Sequence, residues 1–265
     1  FAGGMSTEGI KPFVVIYSTF LQRAFDHITH DICRQSLPVR FILDRGGFVG
    51  ADGATHHGIL DLTYLRMIPN MVVMVPKDGT EMQAMINLAY KYNDGPIAMR
   101  FPRGSTTEYS ELLQSELPEL SFGKGEKLQT GADILLLAVG TMVESALEVA
   151  KILEATGLSV GVINARFVKP LDQELILSMV SSVKLIATME ENVRTGGFGS
   201  GILELLAEHE ILKPVVQFGV PDQFIKFASR EEQIEEAGLD VPSMTAKLQR
   251  VWKKMTGPTK NQVAV

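Results

Sequence analysis

Apolar residues fall into short runs separated by polar stretches that begin or end at glycine, proline or aspartate. In the first half the runs are Pro12–Tyr17, Val39–Leu43, Met71–Val75 and Ile97–Met99. In the second they are Ile134–Val139, Val160–Ala165, Lys184–Met189 and Val215–Phe218. Runs this short and this rich in aliphatic side chains read as buried strands. Between them the period changes to that of a helix. Leu21, Phe25, Ile28 and Ile32 share one stripe, as do Met82, Met85, Ile86 and Ala89, and Val143, Ala146, Leu147, Ala150 and Leu153. Thr19-x-x-Gln22 and Thr141-x-x-Glu144 match the capping box, Asp78 and Asp172 precede helical patterns, and Asp61–Arg66 reads as a short helix. Met74, Met82 and Met85 are expected as core filler.

Strand, helix, strand, helix with short links predicts an α/β protein of two open, mostly parallel-sheet domains joined by right-handed crossovers. The loops that follow the strands of one sheet then share one edge. From Ser105 to Gly131 the periodicity lapses, so an inter-domain linker is expected there, and the halves are divided as 1–125 and 126–265. Gly196 to Gly201 opens a helix. It does not fit a dinucleotide fingerprint, because the preceding strand ends too early and no acidic residue follows at the right distance. Close approach of that helix to a sheet or to another subunit is expected instead. The tail from Thr256 to Val265 is expected to fray.

The chemistry gathers after the strands of the first half. The run Val39–Leu43 passes into a loop holding Gly46, Gly47, Gly50, Gly53 and Gly58 together with Arg45, Asp52, His56 and His57. Parallel sheets place ligands at the carboxyl ends of strands. The neighbouring strand ends add Tyr17, Phe20 and Arg23 on one side and Arg100 and Arg103 on the other. Arg45 and Arg103 could converge on one phosphate or carboxylate, whose geometry suits a guanidinium fork, or each could pair with a carboxylate such as Asp44 or Glu108. A histidine there could move protons near neutral pH, and Tyr17 with Phe20 could wall a flat ring. His27 and His30 read as a solvated helix face.

Composition narrows the function classes. With 25 basic and 31 acidic residues the net charge is −6, which leaves no field for nucleic acid or an anionic membrane. No apolar run approaches the roughly 18 residues of a membrane span. The single cysteine, Cys33, reads as a small apolar filler in a reducing compartment. There is no Ser-His-Asp order and no Cys/His metal spacing. The residues alone therefore describe a two-domain α/β protein holding a small phosphorylated or carboxylated substrate beside an aromatic surface.

Several segments, in order, resemble a known family. They are Ile16-Tyr-Ser-Thr-Phe-Leu-Gln-Arg-Ala-Phe-Asp26, Asp44-Arg-Gly-Gly with Val49-Gly-Ala-Asp-Gly-x-Thr-His56, Phe101-Pro-Arg-Gly104, Arg166-Phe-Val-Lys-Pro-Leu-Asp172 and Glu190-Glu-Asn192. Together they resemble the 1-deoxy-D-xylulose-5-phosphate synthases, which are transketolase-like thiamine diphosphate enzymes. The resemblance implies condensation of pyruvate with D-glyceraldehyde 3-phosphate, with loss of CO2, on the way to isoprenoids, thiamine and pyridoxal. It implies a pyrimidine-binding domain over 1–125 and a transketolase C-terminal domain over 126–265. Phe20 would stack on the cofactor's aminopyrimidine with Tyr17 and Arg23 close by. Arg45 and Arg103 would hold the acceptor's phosphate. Tyr17, Asp52 and His56 would line the substrate pocket, His56 moving the proton. Mg2+ and the diphosphate would be held by the N-terminal part of the same enzyme, which also carries the family's catalytic glutamate; that part is expected to be needed for activity. A homodimer in the bacterial cytoplasm or plastid stroma is the corresponding expectation. The rival readings are the beta subunit of a 2-oxoacid dehydrogenase and a non-catalytic dimerisation or regulatory module.

Overall fold

A computed structural model describes residues 1–105 and 119–257. Its strands are β1 (Phe13–Tyr17), β2 (Arg40–Asp44), β3 (Val72–Met74), β4 (Ile97–Arg100), β5 (Glu126–Gln129), β6 (Ile134–Ala138), β7 (Val160–Asn164), β8 (Phe167–Lys169), β9 (Leu185–Val193) and β10 (Val215–Val220). They form two five-stranded sheets, ordered β1-β2-β4-β3-β8 and β10-β9-β6-β7-β5. Within each sheet four strands run parallel, and β8 and β5 are added antiparallel at one edge. The expected open, mostly parallel α/β architecture is therefore what the chain adopts.

The central strands are buried on both faces, as continuous apolar runs should be: every residue of β3, β6 and β7 is buried. β1 departs from the expectation of a buried strand. It lies at the sheet edge, where Val15 is 70% exposed and Phe13 39%. The expected linker is also shorter than the sequence suggested, because Glu126–Gln129 is a strand paired with β7; the polar residues 106–118 lie outside the described residues. β9 continues through Glu190-Glu-Asn192, charged residues that nevertheless sit inside.

β8 was not expected at all. Only three residues long, it follows β7 in the chain yet pairs with β3 of the first sheet. The two halves share a core as well: Leu43, Val73 and Ala98 pack in one cluster with Leu135, Ile163, Ile186 and Phe198. Asp78 and Asp172 cap their helices, accepting from the amides of Glu81 and Leu175. The two expected threonine capping boxes do not form. The Thr19 hydroxyl donates to the Thr55 carbonyl instead, and the Thr141 hydroxyl to Glu191. Ile86 and Leu147 lie outside the buried stripes to which they were assigned. Met74 and Met85 are fully buried, and Met82 packs partly buried beside them, as expected of core filler.

The glycine cluster opening the helix Phe198–Glu208 serves close packing. A Cβ at Gly199 would lie 2.5 Å from the Thr188 hydroxyl of β9 and 2.6 Å from the Gln217 amide of β10. The first amides of that helix, Phe198 and Gly199, both donate to Glu190 at 2.8 Å, so a carboxylate of the same chain occupies the helix start. Of the expected frayed tail, Thr256 closes the helix Val241–Thr256 and 258–265 lies outside the described residues.

Candidate functional site

β2 lies between β1 and β4, all parallel, so the residues following these three strands meet at one sheet edge. The turn after β1 carries Phe20 at the surface, 45% exposed, its ring stacked on that of Tyr17 with centroids 5.3 Å apart. Arg45 leaves β2 with φ +59°, a left-handed backbone that is uncommon outside glycine. The Asp44 carboxylate accepts the Arg45 amide at 2.6 Å and supports this turn. The turn carries the guanidinium over the Tyr17 ring, 4.4 Å from its centroid. Arg103, in the loop after β4, donates to the Val49 carbonyl at 3.1 Å.

Asp52 joins the two arginines. One carboxylate oxygen accepts from Arg45 and the other lies 3.3 Å from Arg103. Among the described residues the carboxylate that pairs with both guanidinium groups is Asp52 and not Asp44; Glu108, the other partner raised from the sequence, falls outside the described residues. His56 closes the group from the same loop, edge-on to Phe20 at 5.5 Å, with Nδ1 3.0 Å from the Thr55 hydroxyl. With Nδ1 so occupied, Nε2 is the ring nitrogen left to face a substrate. Tyr17, Phe20, Arg45, Asp52, His56 and Arg103 therefore form one chain of contacts. Arg23 stands apart, exposed one turn beyond Phe20, and shares no hydrogen bond, ion pair or ring contact with the group among the described residues.

Two residues grouped with these by sequence do other work. Arg100, the last residue of β4, points inward and is 4% exposed. Its guanidinium meets Asp61 at 3.1 Å and the carbonyls of Gly58 and Glu191 at 2.9 and 2.6 Å, tying the two halves together. His57 is buried against Phe48, and burial pushes its imidazole below the usual range, so it stays neutral. Gly46 and Gly47 of the loop leave room for interior side chains, Arg100 at the first and Glu191 at the second. At Gly47 (φ +83°) a Cβ would lie 2.5 Å from the Glu191 carboxylate. Mutual hydrogen bonds between Gly47 and Gly58, at 2.7 and 2.8 Å, close the base of the loop.

Glu191 escaped the sequence reading as a site-building residue. Buried to 2%, it accepts from the Phe48 amide at 2.7 Å, the Thr141 hydroxyl at 3.2 Å and Arg230 at 2.6 Å. Arg230 was missed too, although Ser229-x-x-Glu232, a capping box that does form, would have placed it at the first position of a helix. Arg230 and Arg103 line a hollow of about 420 Å³ with Gly50, Ala51 and Phe227. Among the described residues no group of three or more His, Cys, Asp or Glu could hold a metal ion, and no helix is long and apolar enough to cross a membrane.

The comparisons with known proteins reach into both halves of the chain. The transketolase pyrimidine binding domain matches residues 1–108 and the transketolase C-terminal domain residues 123–244. A 1-deoxy-D-xylulose-5-phosphate synthase of Thermosynechococcus vestitus is 51% identical over 92% of this chain and 38% of its own length. One from Crocosphaera subtropica is 45% identical over 97% of this chain and 40% of its own. The chain thus spans about two fifths of the curated relatives it matches. Among solved structures, a split-gene transketolase described as an inactive beta4 tetramer superposes with a TM-score of 0.85 at 33% identity, over 95% of this chain and 80% of that one.

Proposed function

Because the chain belongs to the transketolase family and matches part of the 1-deoxy-D-xylulose-5-phosphate synthases in sequence, we propose that it is the part of such a synthase that grips the pyrimidine end of thiamine diphosphate and the phosphorylated acceptor. The reaction is condensation of pyruvate with D-glyceraldehyde 3-phosphate, releasing CO2 and forming 1-deoxy-D-xylulose 5-phosphate, a precursor of isoprenoids, thiamine and pyridoxal. The observation that carries this reading is the convergence of Arg45 and Arg103, from loops after different strands, on the single carboxylate of Asp52 beside Phe20 and His56.

Phe20 fits the cofactor assigned to it. A phenyl ring that stays nearly half exposed between an aromatic neighbour and an imidazole offers a face to a flat heterocycle. Thiamine diphosphate, when bound, supplies the carbon nucleophile that joins the two substrates. Phe20 and Tyr17 hold the pyrimidine side and exclude water from it. Arg23, outside the contact group, reaches the cofactor only by swinging its exposed side chain. Arg45 and Arg103 present fixed guanidinium groups to the acceptor's phosphate, with Asp52 keeping them close together and partly neutralised until the dianion arrives. Nε2 of His56 would deliver a proton to the acceptor's aldehyde oxygen as the new carbon–carbon bond turns it into a hydroxyl. The diphosphate and Mg2+ are assigned to the N-terminal part of the enzyme, working with residues 1–125 as the pyrimidine-binding domain and 126–265 as the C-terminal domain, in a homodimer. A reducing cytoplasm or plastid stroma suits the buried free thiol of Cys33, which burial pushes up to about 11.

The test is Arg45→Ala and Arg103→Ala in the complete enzyme. Each removes a charge-assisted contact of roughly 1.5–3 kcal/mol, so the KM for D-glyceraldehyde 3-phosphate should rise at least about tenfold. The KM for pyruvate should stay within about twofold. Unchanged kinetics for both variants sink the phosphate assignment. Transfer of an acyl group to lipoamide in place of ketose phosphate formation points to the 2-oxoacid dehydrogenase class instead.

A further inference from the structure

The hollow beside Arg103 is closed on its far side by the second half of the chain, where Phe227, Ser229 and Arg230 face Gly50 and Ala51. At about 420 Å³ it lies within the range of small-ligand pockets. Its charge is not balanced internally. Of the guanidinium groups that line it, Arg230 is paired with Glu191 and Arg103 with Asp52, and Asp52 is shared with Arg45, so among the described residues three cations meet two carboxylates. Its donors are not used up either. Nε of Arg230 has no hydrogen-bond partner among the described residues. Among the described residues Arg103 engages its protein partners through one terminal nitrogen. Phe227, a large apolar side chain that lines the hollow, stands 72% exposed.

We propose that Arg230 and Phe227 are specificity determinants supplied by the C-terminal domain, Arg230 as a third cation for the acceptor's phosphate and Phe227 as the wall that limits the acceptor's length. The proposal rests on the function given above but is separable from it. Three guanidinium groups that share two carboxylates keep charge to spare for an incoming dianion, and an aromatic wall discriminates by size, where one extra methylene is worth roughly 10- to 200-fold. Arg230 differs from Arg45 and Arg103 in coming from the other half of the molecule. The width of the hollow therefore follows the Glu191 contacts that fix Arg230.

The experiment uses the complete enzyme with Arg230→Gln, Arg230→Lys and Phe227→Ala. Calorimetric binding of glycerol 3-phosphate, an unreactive phosphate-bearing probe, is measured beside steady-state kinetics. Arg230→Gln should weaken binding of the probe about tenfold or more and leave the KM for pyruvate within about twofold, with Arg230→Lys recovering most of the loss. Phe227→Ala should raise the kcat/KM of a four-carbon aldehyde phosphate relative to the three-carbon one about tenfold. Wild-type-like probe binding by Arg230→Gln, or an equal loss toward pyruvate with a lowered melting temperature, overturns the role of Arg230. An unchanged preference in Phe227→Ala overturns that of Phe227. Probe binding that depends on Arg230 in an enzyme that makes no ketose phosphate leaves this inference standing and removes the proposed reaction.

Discussion

Replacing Glu191 with alanine should be among the most damaging single changes in the chain. Its carboxylate is 2% exposed and accepts from the Phe48 amide, the Thr141 hydroxyl and the Arg230 guanidinium. Truncation leaves all three donors without that acceptor in space already closed by Gly47. Breaking a buried ion pair from one side costs about 3–5 kcal/mol. Arg230 is about a third exposed, 31%, so water can re-solvate it and the lower end applies to that pair. The Phe48 amide cannot be rescued in this way, because Phe48 is fully buried, and an orphaned amide adds about 1–3 kcal/mol. The expected loss is therefore roughly 4–6 kcal/mol against a typical total of about 5–15. Urea unfolding followed by tryptophan fluorescence reads it directly, since Trp252 packs against the core of the second half. A loss below about 1 kcal/mol with an unchanged denaturant slope would refute the view that this carboxylate holds the loop to the second half.

Three further outcomes follow from other contacts. Burial pushes the Glu190 carboxyl up to about 8 against two backbone donors, so the folded chain keeps a proton that the unfolded chain has lost. Stability should then fall as pH rises from about 4.5 to about 8, and Glu190→Gln, which does not titrate, should gain on the wild type across that window; parallel pH profiles of the urea midpoint would contradict it. Gly47→Ala should destabilise by roughly 1–3 kcal/mol from its backbone alone, before the overlap with Glu191 is counted, as read from the melting temperature. Asp52→Asn frees two guanidinium groups from their shared anion and should tighten glycerol 3-phosphate binding while lowering kcat; weakened binding would argue that Asp52 chiefly keeps the arginines in place.

The parallel sheets were legible because their inner strands are unbroken apolar runs, and the site was legible because parallel order sends the ends of β1, β2 and β4 to one edge. What stayed hidden has physical reasons. β5 is polar because it is an edge strand, and β8 is too short to show a period. Glu190, Glu191 and Asn192 read as lying beyond the strand because polar side chains usually mean exposure, yet here Glu190 and Glu191 accept from the amides of Phe198 and Phe48, and Asn192 donates to the Thr63 hydroxyl. Thr19 and Thr141 carry correct local capping signals that tertiary partners outcompete. Arg100 and Arg103 look alike in sequence. Arg100 turns inward from the end of the strand to tie the halves, whereas Arg103, in the loop that follows, stays about half exposed beside Asp52. Arg230 could be recognised as part of the site only once the second half was folded onto the first.

The stitch made by β8 has a practical corollary for anyone dissecting this molecule. Severing the polypeptide at residue 125 leaves Val72–Met74 as a raw, apolar flank of the first sheet, stripped of the lane that covers it. Such a fragment should clump or borrow the missing lane from a neighbouring copy, whereas a cut made after Pro170 carries its own cover with it. Modular in outline, the protein comes apart only where its chain has already crossed over.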